Sequence, residues 1–170
     1  MYPGQKSGND YFRYILDTYS DQIIRLCYTY THNMTDAEDL TEDTFCELVR
    51  TMPSFDSTEH EQAWLFKVAV NKCRNHAKSA RVRMTVPDDR IAEDMPAPET
   101  KFYDGENERV RKAVFELPEK YRTVIHLYYF EDIPIDKIAK ICGLPKATVG
   151  TRLSRGRGLL KEKLGGEFDA

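Results

Sequence analysis

The chain has 170 residues, 41% of them hydrophobic and 31% charged, with a formal net charge of −3. That length suits one large domain or two small ones, with apolar content sufficient for folded cores. No apolar run approaches the roughly 20 residues of a membrane helix, and Met1-Tyr-Pro-Gly-Gln-Lys lacks an apolar signal core. Membrane insertion and export are therefore not expected, and the implied location is cytoplasmic.

Helical signals follow one another along the chain. Residues 9–33 carry Phe12, Ile15, Leu16, Tyr19, Ile23, Ile24, Leu26 and Cys27 at helical spacing, with a break expected near Ser20 and Asp21. Thr35-Asp-Ala-Glu38 reads as a capping box, so a helix is expected from Asp36 through Leu48 toward Met52. Thr58-Glu-His-Glu61 is a second such box, opening a helix from about Glu59 to Ala80. Residues 84–104 hold Pro87, Pro96 and Pro98 among acids, which is the composition of a linker. Residues 106–116 turn helical again. Leu117-Pro118 restarts a helix with Pro118 at its first position, running to about Phe130.

From Ile135 to Leu164 the pattern is a helix, a tight turn and a basic second helix, closed by Gly165-Gly166. Ala139, Gly143 and Val149 have helix-turn-helix spacing. The small residue lets the helices approach, the glycine accepts a positive φ, and the β-branched residue packs the second helix back. With no strand alternation, the fold class expected is all-α: two small helical domains, residues 9–84 and 105–164, joined by a flexible linker over 85–104.

Charge is segregated into blocks. Residues 36–61 hold nine acids and one base, Arg50, whereas residues 64–87 hold six bases and no acid. Residues 88–108 hold eight acids against two bases, and residues 140–163 hold seven bases against Glu162. Such alternation is what partner surfaces of opposite sign require.

Lys67, Asn71, Arg74, Lys78 and Arg81 fall on one stripe of the helix after Thr58, beside the arc of Leu65, Phe66, Ala69, Val70, Cys73 and Ala77. A basic stripe with a central Asn suits a phosphate backbone with base contacts, although such stripes are often merely solvated faces. On the second helix of the helix-turn-helix, Thr148, Thr151, Ser154 and Arg155 project opposite Val149, Leu153, Leu160 and Leu164. Arg152 and Arg157 flank them and could grip phosphates. Gly150, Gly156 and Gly158 each cost that helix about 1 kcal/mol relative to alanine, which packing must offset.

The acidic helix admits three readings: a solvated face, a docking face for a basic protein, or a carboxylate metal site. Adjacent acids point all round a helix, so convergent metal ligands are not expected. Trp64 reads as a core anchor. The four histidines show no ligand spacing, and Cys27, Cys46, Cys73 and Cys142, without a CxxC pair, read as buried reduced thiols. No glycine-rich phosphate loop or nucleophile elbow occurs, so neither an enzyme nor a cofactor is expected. A stand-alone helix-turn-helix regulator remains an alternative to a larger assembly.

Four stretches in order, Asp36-Ala-Glu-Asp-Leu-Thr-Glu-Asp-Thr-Phe45, Ala63-Trp-Leu-Phe-Lys-Val-Ala-Val-Asn71, Leu117-Pro-Glu-Lys-Tyr-Arg-Thr-Val-Ile125 and the helix-turn-helix, together resemble the extracytoplasmic-function group of sigma-70 family RNA polymerase sigma factors. The resemblance spans residues 10–164. It implies a sigma-2 and a sigma-4 domain, and an initiation factor that catalyses nothing itself. Asp39, Leu40, Glu42, Asp43 and Phe45 would dock on the clamp helices of the largest polymerase subunit, with the flap region as a further contact. Asn71, Lys72, Arg74, Asn75, Lys78 and Arg81 would serve the −10 element, where duplex is melted and a base captured. Thr148, Thr151, Arg152, Ser154, Arg155 and Arg157 would read the −35 element. Promoter DNA, core polymerase and an anti-sigma factor are the partners implied. The sequence departs from the family's habit at Glu42, often Gln; at Pro145, often a small capping residue; at Gly150, often basic; and at Gly156, usually Ala.

Overall fold

A computed structural model describes the backbone of residues 8–83 and 108–165, and the side chains of 8–79 and 108–165. The chain divides into two compact units, residues 1–83 and 84–170. Among the described residues every regular element is helical. The linker expected over 85–104, and residues 105–107 of the second domain, lie outside the described residues.

The first unit is a three-helix bundle of α1 (Gly8–Thr31), α2 (Met34–Thr51) and α3 (Thr58–Arg83). α1 runs unbroken through Ser20 and Asp21, contrary to the break expected there. Ile15, Tyr19, Ile23 and Leu26 stay on one buried stripe, and no glycine or proline interrupts it. His32, at φ 51°, ends α1 with its N–H on the Tyr28 carbonyl at 2.9 Å.

Both expected capping boxes are displaced. α2 begins at Met34, two residues early, because Asn33 is extended and its side chain accepts from the Asp36 N–H at 3.0 Å. Asn does the capping as well as Thr would, and comes first in the chain. At α3 the Ser57 hydroxyl accepts from the His60 N–H at 3.1 Å. Glu61 is thereby released from capping and turns inward, fully buried. Its carboxylate accepts from the Tyr11 hydroxyl at 2.7 Å and the Tyr19 hydroxyl at 3.0 Å, stapling α3 to α1.

α2 buries Ala37, Leu40, Thr41, Thr44, Phe45 and Leu48, the i, i+3, i+4, i+7 pattern of one helix face. The two buried threonines donate to the Ala37 and Leu40 carbonyls at 2.7 and 2.8 Å, so neither hydroxyl is orphaned. Trp64 is half-buried rather than a core anchor; its ring meets Phe55 edge-on at 5.7 Å. Cys27, Cys73 and Cys142 are buried, but Cys46 is exposed, because position 46 falls outside the buried arc of α2.

The second unit contains α4 (Glu108–Phe115), α5 (Glu119–Ile125), α6 (Ile135–Cys142) and α7 (Lys146–Leu164). Pro118 caps α5 from outside rather than filling its first position. Arg122 donates to the Phe115 and Leu117 carbonyls at 3.0 and 3.2 Å, satisfying the exposed end of α4. A π-helical turn, His126–Phe130, continues α5. Gly143 ends α6 at φ 65° and Gly165 ends α7 at φ 64°. Val149, Leu153, Leu160 and Leu164 form the buried side of α7.

Gly156 is buried where α7 crosses α5. A β-carbon there would lie 2.9 Å from Ile125 Cγ1 and 3.5 Å from Tyr121 Cβ. Gly150 and Gly158 meet nothing within 4 Å. Gly158→Ala should therefore stabilise the chain by about 0.5–1 kcal/mol, the helix-propensity gain alone. Gly156→Ala should instead destabilise it by about 1 kcal/mol, because overpacking exceeds that gain. Urea unfolding of both variants checks the opposite signs. Glu61→Ala, which removes the acceptor of the half-buried Tyr11 and the buried Tyr19 hydroxyls, should lose about 1–2 kcal/mol in the same measurement.

Candidate nucleic-acid interface

In the first unit the inward arc of α3 holds Leu65, Phe66, Ala69, Val70 and Cys73, all fully buried. Lys67, Asn71, Asn75 and Lys78 are consequently exposed, and Lys72 and Arg74 are half-buried at the margins. Arg81 lies on the α3 backbone, with its side chain outside the described residues. The basic face thus exists because a helix with one buried arc must turn the rest of its residues outward.

α2 carries the opposite sign. Glu38, Asp39, Glu42 and Asp43 are exposed. Glu47 is held below the usual carboxylate range by its hydrogen bonds with Arg50, with smaller help from the charges of Arg50 and Lys72. His76 Nε2 lies 3.7 Å from the Asp36 carboxylate where α3 meets α2. Leu40 and Phe45, expected as polymerase contacts, are only 7% and 5% exposed. Both belong to the buried arc of α2, whereas Asp39, Glu42 and Asp43 lie exposed on it. Phe45 also lines an apolar groove of about 640 Å³ between α1 and α2, with Phe12, Leu16, Ile24 and Val49.

In the second unit the structure gathers Thr148, Thr151, Arg152 and Arg155 around a polar cavity of about 340 Å³. Ser154 is exposed on the adjacent part of the same helix. Arg157 is set apart, at about 160° from Arg155 around the helix axis. Its guanidinium donates to the Tyr129 hydroxyl at 3.1 Å. Two cavity residues, Lys120 and Tyr121, come from α5 and carry no signal in the helix-turn-helix stretch. Only the tertiary crossing at Gly156 brings them there, so sequence spacing could not show it. Among the described residues no group of three or more His, Cys, Asp or Glu side chains could hold a metal ion. Among them, too, no helix is long and apolar enough to cross a membrane.

Two helical domains, each presenting a basic face, one of them a helix-turn-helix, define a two-part DNA-binding protein. Residues 15–83 match the family model for Sigma-70 region 2, and residues 107–160 match that for Sigma-70, region 4. The chain is 30% identical over 177 aligned positions to the ECF RNA polymerase sigma factor SigW of Bacillus subtilis (strain 168), covering 94% of this chain and 92% of that relative. It is 26% identical to the RNA polymerase sigma-H factor of Pseudomonas aeruginosa, covering 94% and 89%. The chain therefore belongs to the sigma-70 family of RNA polymerase sigma factors, in its extracytoplasmic-function group, and serves transcription initiation. Its fold is shared with the sigma factor RpoE of Bartonella quintana, solved with the anti-sigma factor NepR. That likeness has a TM-score of 0.78 at 22% identity and covers 92% of this chain and 98% of RpoE.

Proposed function

We propose that the two basic faces divide promoter recognition between them. The domain over residues 9–84 handles the −10 element, the domain over 105–164 reads the −35 element, and residues 85–104 tether them. The observation that carries this is the pairing of an acid-free basic arc on α3 with the polar outward face of α7, each opposite a closed core. Asn71, Lys72, Arg74, Asn75, Lys78 and Arg81 engage the −10 strand, capturing an unstacked base and offsetting the energy of duplex opening. Thr148, Thr151, Arg152, Ser154 and Arg155 face base edges and backbone in the major groove. Arg157, tied to Tyr129, contributes from the far flank.

Asp39, Glu42 and Asp43 dock on the clamp helices of core polymerase, whose surface must be basic to match them. Leu40 and Phe45 support that helix from beneath. The protein acts by binding rather than catalysis, in the cytoplasm where polymerase works. An anti-sigma protein is a further partner, as it is for RpoE and for CnrH, which is solved with the cytosolic domain of CnrY.

Run-off transcription with core polymerase on genomic promoter fragments should yield transcripts absent with core alone. No such transcript would sink the reading in favour of a stand-alone regulator. Arg155→Ala should lose about 1–3 kcal/mol of −35 discrimination, the scale of one bidentate base contact, whereas Arg157→Ala should lose less than half of that. Competition binding with −35 variants separates the two. Asn71→Ala should slow strand opening by about tenfold, the scale of one lost base contact, while closed-complex affinity changes little. Permanganate footprinting beside a closed-complex binding assay distinguishes this from a mere phosphate contact, which would weaken both equally.

A further inference from the structure

Lys120 lies in α5, which is no part of the helix-turn-helix, yet its side chain reaches the same cavity as the reading face. The reason is the close crossing at Gly156, where the absence of a β-carbon lets α5 lie against α7 along Tyr121 and Ile125. The cavity wall is then Lys120 and Tyr121 from α5 and Thr148, Thr151, Arg152 and Arg155 from α7. No carboxylate lines it.

The Lys120 ammonium sits 5.0 Å from the centre of the Tyr121 ring, within cation–π range. Burial pushes the Tyr121 phenol up, but hydrogen bonding with Arg155 and then Lys120 outweighs it and holds the phenol below its ordinary value. Tyr121 therefore has cations from both helices beside it, Lys120 and Arg155. Three cations and three hydroxyls around an acid-free cavity make a site for an anion. The cavity includes Arg152, on the flank of the outward face of α7. A duplex lying on that helix brings backbone phosphates, not base edges, to its flanks.

We infer that Lys120 is a DNA-backbone contact, closing with Arg152 on one phosphate at the edge of the site that α7 reads. The inference rests on the reading of α7 as a DNA-recognition helix. It adds a residue from outside the motif, and it gives that contact no part in sequence choice, because phosphates carry no base information.

The test uses the full chain and a mixed-sequence duplex of about 30 base pairs, with affinity measured from about 50 to 200 mM salt. Lys120→Ala should weaken binding several-fold and flatten the slope of log K against log salt by about 0.9, the signature of one lost phosphate neutralisation. Lys120→Arg should restore both. Arg152→Ala serves as the parallel arm and should also flatten the slope. If Lys120→Ala leaves the slope unchanged while Arg152→Ala flattens it, the inference is overturned and the reading of α7 stands. If neither flattens it, the reading of α7 fails and takes the inference with it. Lys120 is exposed, so the variant removes charge without opening a core.

Discussion

The crossing of α5 and α7 at Gly156 is the contact on which the polar outward face of the second domain depends. A β-carbon at position 156 would stand 2.9 Å from Ile125, so the two helices approach as closely as they do only because glycine is there. From that approach follow the burial of Leu153 and Leu160, the outward turn of Thr151 and Arg155, and the arrival of Tyr121 and Lys120 beside them. Ile125 occupies the space that an alanine methyl at position 156 would need, so the glycine and the isoleucine fit one another across the interface.

In the first domain the organising contact is the Glu61 carboxylate between two tyrosine hydroxyls. A buried carboxyl group without partners would be costly, but two hydrogen bonds at 2.7 and 3.0 Å satisfy it. They also fix α3 against α1. With that rotation set, the apolar arc from Leu65 to Cys73 closes the core, and Lys67, Asn71 and Lys78 have only solvent or a ligand to face. One buried acid thus helps orient a face from which acids are absent.

The helices, their order and their sign segregation were legible in the sequence because they depend on periodicity and composition, which are local. The positions of Asn71 and Arg155 followed from spacing in the same way. Cap identity was less legible. Asn33 and Ser57 took the roles expected of Thr35 and Thr58, since each stands just ahead of an equally plausible partner, and boundaries shift by a residue or two for that reason. Leu40 and Phe45 show a different limit. Their place in the resemblance is that of docking residues, but their chemistry and phase put them in the core. Lys120 was invisible because its neighbours on α7 are distant in the chain, and the contact that joins them depends on a glycine whose sequence signal is only a helix penalty.

The segregation of charge also bears on why a chain of net charge −3 should bind DNA at all. α2 and α3 belong to one small bundle, and His76 and Asp36 stand 3.7 Å apart where they meet. The exposed acids of α2 therefore lie close enough to the basic arc of α3 to act on it, screened only partly over a Debye length of about 8–10 Å. A duplex approaching α3 meets attraction from Lys67 and Lys78 and weaker repulsion from Asp39, Glu42 and Asp43. When a basic surface covers α2, that repulsion is neutralised while the attraction remains. On the proposed assignment of the two faces, docking on polymerase and binding to promoter would then favour each other electrostatically. The acids of α2 would thus weaken, without abolishing, the attraction of α3 for a polyanion, and a basic partner on α2 would relieve that.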